Sequence, residues 1–190
     1  CLAIQEIQDP EKQSGIVTSI HTYNRSTAVT SSIDVSERIG NGCFISLTID
    51  KNGTIYVFSY LRYGTSDSSF GYFPVFPDGS IGENILLEVP ENFAFYSCVA
   101  DSNGNIFLGG SGQILVFSNS GKIRKTIDET SLTGDLFNLD GGIYGLERSE
   151  TNPRRTYIAA IDEKNMRLGG PVDVSSIIGS EDISYSGGDY

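Results

Sequence analysis

Asp50-Lys51-Asn52-Gly53-Thr54-Ile55-Tyr56-Val57, Asp101-Ser102-Asn103-Gly104-Asn105-Ile106-Phe107-Leu108 and the shorter Asp140-Gly141-Gly142-Ile143-Tyr144-Gly145 are three copies of one phrase. Each copy closes an apolar run, breaks it with a tight Asp/Asn/Gly turn and opens a second apolar run, which is the pattern of a β-hairpin. The copies stand 51 and 39 residues apart, from Asp50 to Asp101 and from Asp101 to Asp140. Those gaps leave room for two more strands and their connections, so the repeating unit is a four-stranded sheet. The chain therefore reads as an all-β β-propeller of four-stranded antiparallel blades.

Working outward from the phrases, three complete blades are expected over about 43–90, 94–130 and 134–175, with partial blades at 16–36 and 182–190. Innermost strands fall at 44–49, 95–100 and 135–139. Residues 1–14, with Gln5, Glu6, Gln8, Asp9, Pro10, Glu11, Lys12 and Gln13, offer little to bury and read as a linker ahead of a propeller domain spanning 15–190. Pro74, Pro77, Pro90, Pro153 and Pro171 sit at expected strand ends or connections, where a missing amide donor is tolerated. Residues 182–188 repeat the polarity of 135–141, as if a further innermost strand begins there. Two arrangements follow: an open piece of a longer propeller, or a small ring closed against the N-terminal half-blade.

Composition excludes several classes. A formal net charge of −11 over 190 residues opposes nucleic-acid binding, which needs a concentrated basic face, and the basic pairs Arg124/Lys125 and Arg154/Arg155 do not supply one. The acidity serves solubility first, and a cationic partner second. Three cysteines and the single His21 lack any metal-ligand spacing, so neither a metal nor another cofactor is expected. Cys98 stands three residues before its turn, as Leu47 does, and reads as a small core side chain; a bridge to Cys43 has nothing in its favour. No run of about eighteen apolar residues is present to span a membrane.

The run Asp101-Ser102-Asn103-Gly104-Asn105-Ile106-Phe107, followed by Gln113-Ile114-Leu115-Val116-Phe117-Ser118-Asn119-Ser120-Gly121-Lys122, resembles a repeat of the NHL type. It is also similar to the propeller repeats in sensor ectodomains of bacterial two-component systems. The resemblance covers the second unit well and the first and third in part, and it implies a fold rather than an activity. Cys1, followed by a polar stretch, resembles the lipid-modified first residue of a mature bacterial lipoprotein; an arbitrary chain boundary reads equally well. The lipoprotein resemblance implies an extracytoplasmic chain, secreted or anchored at the cell surface.

Two chemical readings of the motifs fail on their own terms. Asp101, Asn103 and Asn105 alternate like calcium ligands, but the twelfth position is Gly112 where a bidentate Glu is needed, and the glycine stands fourth instead of sixth. No Gly-any-Ser-any-Gly elbow accompanies His21, which leaves no catalytic residue to name. The irregular connections 59–72 and 147–154 are more informative. Both are expected to join second to third strands and so to emerge on one propeller face. They carry the candidate ligand-binding residues Tyr60, Arg62, Tyr63, Tyr72, Arg148 and Arg154, aromatic and cationic groups suited to a glycan, peptide or protein ligand. The function expected is a non-catalytic recognition or sensor module. The alternative is a propeller lactonase, lyase or glycan-active hydrolase with site residues drawn from several blades.

Overall fold

The computed structural model describes residues 2–7, 16–24, 29–40, 43–61, 69–91, 93–101, 103–110, 112–128, 136–139, 142–149, 155–162, 167–168, 170 and 172–173. Four antiparallel sheets follow one another along the chain. The first contains β1 (Leu2–Ile7), β2 (Ile16–Asn24) and β3 (Val29–Asp34) and ends in the one-turn helix α1 (Ser36–Ile39). The second runs β4 (Cys43–Ile49), β5 (Ile55–Leu61), β6 (Ser69–Val75) and β7 (Ile85–Leu86). The third runs β8 (Phe95–Ala100), β9 (Ile106–Gly110), β10 (Gln113–Phe117) and β11 (Ile123–Ile127). In the fourth, β12 (Leu136–Leu139), β13 (Gly142–Ser149) and β14 (Arg155–Asp162) are followed by β15 (Arg167–Leu168) and β16 (Val172–Asp173), which both pair with β14.

The sheets stack face to face because each strand alternates two apolar sets. In β5, Ile55 and Val57 pack with Phe73 and Val75 against Ile20, Val35 and Ile39 of the first sheet. The intervening Tyr56 and Phe58 pack with Tyr72 against Ile106, Leu108, Leu115 and Phe117 of the third. The third sheet turns its other parity, Phe107, Ile114 and Val116, onto Leu136, Ile143 and Ile161 of the fourth. Every interior sheet is thus buried on both faces, and β8 lies between β4 and β12. Three stacked four-stranded sheets with their first strands adjacent are propeller blades, and the fold is an all-β propeller in which α1 is the single helix among the described residues.

One turn geometry is used at both kinds of hairpin. At 50–54, 76–80, 101–105 and 118–122 the first residue donates its amide to the carbonyl of the fifth, and the glycine in fourth place donates back to the first. Asp50 Oδ1 accepts the amides of Asn52 at 2.8 Å and Thr54 at 3.0 Å; Asp101 Oδ1 accepts those of Asn103 and Asn105, both at 2.8 Å. All four loops have in common a glycine at the fourth place, where positive φ is needed, while the first-place carboxylate belongs to the Asp50 and Asp101 turns, Phe76 and Ser118 standing there in the other two.

One detail differs from the sequence expectation. Residues 2–7 are strand rather than linker: β1 pairs with β2 from Leu2↔His21 to Ile7↔Ile16. Leu2, Ala3, Ile4 and Ile7 outweigh their polar neighbours once the open edge of β2 offers its amides and carbonyls as partners. The outer strand of the first blade is short, because Pro74 in β6 has no amide to donate; only a bridge at Ile81 and the pair at Ile85 and Leu86 form. Cys98 is a free, buried thiol, the small core side chain expected from the sequence, and burial pushes its pKa up to about 12. The N-terminal stretch and first blade are also clipped together by Arg38, whose guanidinium meets Glu83 at 3.1 Å on the exposed rim. Residues 182–190 lie outside the described residues.

Gly53 and Gly104 hold φ of 85° and 76°. Gly53→Val and Gly104→Val are each expected to cost about 1–3 kcal/mol, because a β-branched residue is strained there. The second should cost more: a Cβ at Gly104 meets the Tyr56 hydroxyl at 3.3 Å, whereas one at Gly53 meets only Pro77 at 3.5 Å. Denaturant midpoints of the two variants measure both the cost and its order.

Candidate functional site

The innermost strands β4, β8 and β12 wall a cavity of about 690 Å³. Its lining combines apolar and aromatic side chains, Ile45 and Ile49 from β4, Phe95 and Tyr96 from β8 and Phe137 from β12, with the polar Ser46, Thr48, Ser97 and Asn138 of the same strands. Tyr96 is 58% exposed and Ile49 43%, so large apolar side chains are left uncovered where the three blades converge. The polar groups of the same strands hold the blades to one another. Ser97 Oγ accepts the Leu136 amide at 2.8 Å, Asn138 Nδ2 donates to the Ala100 carbonyl at 3.0 Å, and Ser46 hydrogen-bonds the Cys98 thiol. Beside these groups the wall offers aromatic and apolar surface with Thr48 among it, a lining suited to stacking and shape recognition.

The residues expected from sequence divide unevenly. Tyr60 belongs to β5 and is half-buried, its ring 5.5 Å from Phe70. Phe70 in turn lies 5.1 Å from Phe95, so an aromatic path leads from Tyr60 to the cavity wall. Tyr72 is a core residue of β6, with its hydroxyl donating to the Asn119 carbonyl at 3.2 Å. Arg148 is a residue of β13, opposite Thr156. Arg62, Tyr63, Arg154 and Cys1 lie outside the described residues. The expected connections are consequently shorter than 59–72 and 147–154, since β5 runs to Leu61, β6 begins at Ser69 and β13 runs to Ser149. The physical reason is cross-strand pairing: Tyr60 faces Phe70 and Phe58 faces Tyr72, and paired aromatics extend a sheet as readily as they decorate a loop. Both connections still join second to third strands, leaving the blades at the end opposite the Asp turns.

Phe95, Tyr96, Phe137 and Ile49 were not singled out by sequence. The available signal was that the innermost strands carry apolar residues at both parities, Phe44 beside Ile45, Leu47 and Ile49 in one strand and Phe95 with Tyr96 in the other.

No family model matches the chain, and no curated protein matches it. Among solved structures it is similar to Porphyromonas gingivalis dipeptidyl peptidase 4, at 17% identity over 92% of this chain and 27% of that one, with a TM-score of 0.49. It is also similar to a mutant of the GH43 protein BlXynB from Bacillus licheniformis, at 14% identity over 83% and 36% of the two chains, with a TM-score of 0.46. A third is Trypanosoma rangeli sialidase in complex with sialic acid, at 14% identity over 83% and 32%, with a TM-score of 0.44. The chain spans between 27% and 36% of the length of these three proteins.

Burial raises the Tyr72 hydroxyl from its ordinary 10.0 to about 12. The neutral phenol is the form the fold accommodates, so its contribution to stability is full below pH 10 and is lost as pH rises towards 12. Tyr56, raised by burial and then by Asp50, acts in the same direction. The melting temperature should therefore fall above pH 10. Tyr72→Phe is expected to cost about 1 kcal/mol at neutral pH, through the lost hydrogen bond, and to shallow that alkaline fall.

Proposed function

We propose that the chain is a recognition module, with NHL-like repeats, that binds a glycan, peptide or protein segment at the mouth of the cavity walled by β4, β8 and β12. The observation that carries this reading is the aromatic and apolar part of that lining, with Tyr96 exposed in it and an aromatic path to Tyr60 in β5. Arg62 and Tyr63 fall in sequence between β5 and β6, Arg154 falls between β13 and β14, and Arg148 is a residue of β13; on this reading they would add charge and hydrogen bonding to the rim. An extracytoplasmic location and a lipid on Cys1 are part of the same proposal, and rest on the lipoprotein resemblance alone.

A second reading is an enzyme of the propeller hydrolase kind. The three similar solved structures, a dipeptidyl peptidase, a GH43 protein and a sialidase, lean that way, but at such identities and TM-scores no activity carries across. This reading requires carboxylates converging on the cavity, and the described lining residues include no Asp, Glu or His.

Glycan and peptide arrays probed with the purified chain test the first reading. Alanine at Tyr96 should weaken binding of any hit by about 1–2 kcal/mol, and alanine at Arg62, Tyr63 or Arg154 by a similar amount, with the melting temperature nearly unchanged. Binding unaffected by Tyr96→Ala would place the ligand elsewhere, and turnover of an arrayed glycan or peptide would favour the enzyme. Incorporation of labelled fatty acid into the full-length protein, lost on Cys1→Ala, tests the anchor.

A further inference from the structure

A second cavity, of about 430 Å³, opens at the Asp-turn end of the seam between the first and second complete blades. It is built from both: Asp50, Tyr56, Tyr72, Pro74 and Phe76 from one side, and the turns carrying Asn103 and Asn119 from the other. The two tyrosine rings lie 5.7 Å apart, and Phe76 is 42% exposed beside them.

The repeat itself supplies an internal control for the carboxylate here. In the second blade Asp101 Oδ2 accepts Asn105 Nδ2 at 2.6 Å, and Asn105 Oδ1 accepts Arg124 at 2.6 Å, so both oxygens of that buried carboxylate are engaged and a cation stands behind them. In the first blade Thr54 replaces Asn105. Among the described residues Asp50 Oδ2 meets only the Tyr56 hydroxyl, at a long 3.4 Å, although Asp50 is just 7% exposed. A buried carboxylate oxygen without a short donor is a costly arrangement, and this one lines a cavity large enough to admit a donor.

The character of the missing donor follows from the walls. No Lys, Arg or His is among the described residues lining the cavity, and Lys51, next to Asp50, is exposed outside it. The carboxylates of Asp50 and Asp101 both push the Tyr56 hydroxyl further towards its neutral form, which marks a negative potential at that atom. Negative potential, a carboxylate oxygen, a phenol oxygen and aromatic rings together favour a cation with an apolar stem. We propose that this cleft binds an organic ammonium group, an alkylammonium held by Asp50 Oδ2 and the Tyr56 oxygen with its stem against the rings and Pro74. A net charge of −11 draws such a group to the protein.

Titration of the isotopically labelled chain, followed through its amide resonances, tests this with three probes: n-butylammonium, the peptide acetyl-Gly-Lys-Gly-amide, and the same peptide with its lysine acetylated. Both cationic probes should give saturable shifts centred on Gly53, Asn103 and Gly104, weakening as salt is raised, while the acetylated peptide gives none. Tighter binding of the peptide would identify a lysine presented by a polypeptide; equal binding would identify a free amine.

Asp50→Asn keeps an oxygen for the turn amides and removes the charge, and should weaken both cationic probes about tenfold or more. Should that variant fail to fold, Tyr56→Phe removes only the hydroxyl and is expected to weaken them in the same sense. Equal binding of the acetylated peptide, unchanged affinity in a folded variant, shifts centred on β8, or no saturable shift with either cation would each overturn the proposal.

Discussion

Burial of both faces of each interior sheet is the constraint from which the rest follows. A strand with one solvent face alternates apolar and polar residues, but β5, β6, β9 and β10 carry apolar side chains at successive positions, and Phe58, Phe73, Phe107 and Phe117 are wholly buried. No single blade can satisfy such strands, since half of their apolar surface would face water. At about 25 cal/mol per Å² that exposure is far larger than any turn or ion pair in the molecule offsets. The sheets must therefore stack, and stacking four-stranded sheets with their first strands together produces a concave inner wall. The principal cavity is a consequence of how the core is buried, not a feature added to it.

Given stacking, the tight turns become an interface as well as a closure. The Asp-turn end of each blade is pressed against its neighbour: Tyr72 reaches from the first blade to the Asn119 carbonyl, and the Tyr56 hydroxyl stands beside Gly104. A side chain at Gly121 would strike the Leu86 carbonyl at 1.9 Å, so here glycine is required by the neighbouring blade and by its own φ of 79° together. Conservation of turn geometry across the repeat then coexists with divergence in what the turn's carboxylate touches. Asp101 is locked into an amide and guanidinium chain, while Asp50 faces the cleft, and the differences that accompany this are Asn105 with Arg124 behind it on one side and Thr54 with Tyr56 on the other.

The sequence made the blades legible because their signals are local. A carboxylate that accepts two amides four residues on, a glycine at positive φ and an apolar run on either side all fall within eight residues, and tertiary context had little left to decide. Where context decides, the reading slipped. Tyr60 and Tyr72 look like a loop's aromatic decoration until Phe70 and Phe58 are seen across from them, and β1 becomes a strand only because β2 has an edge to offer. The cavity was out of reach for the same reason: its wall takes residues from Ile45 to Leu146, and no window of sequence shows that three innermost strands converge.

Those strands also divide their chemistry in a way that bears on what a ligand meets. Packing the blades face to face leaves the edge of each innermost strand to make contact through short polar side chains, and Ser97 and Asn138 do so by reaching backbone groups of the adjacent strand. Groups held in that way cannot turn to a ligand without loosening a blade junction. The inner wall between these junctions presents Phe95, Tyr96, Phe137 and Ile49, with Thr48 beside them. The recognition proposed above would then draw its affinity from that wall and its selectivity from a few loops, the division of labour that lets one repeat fold serve many ligands.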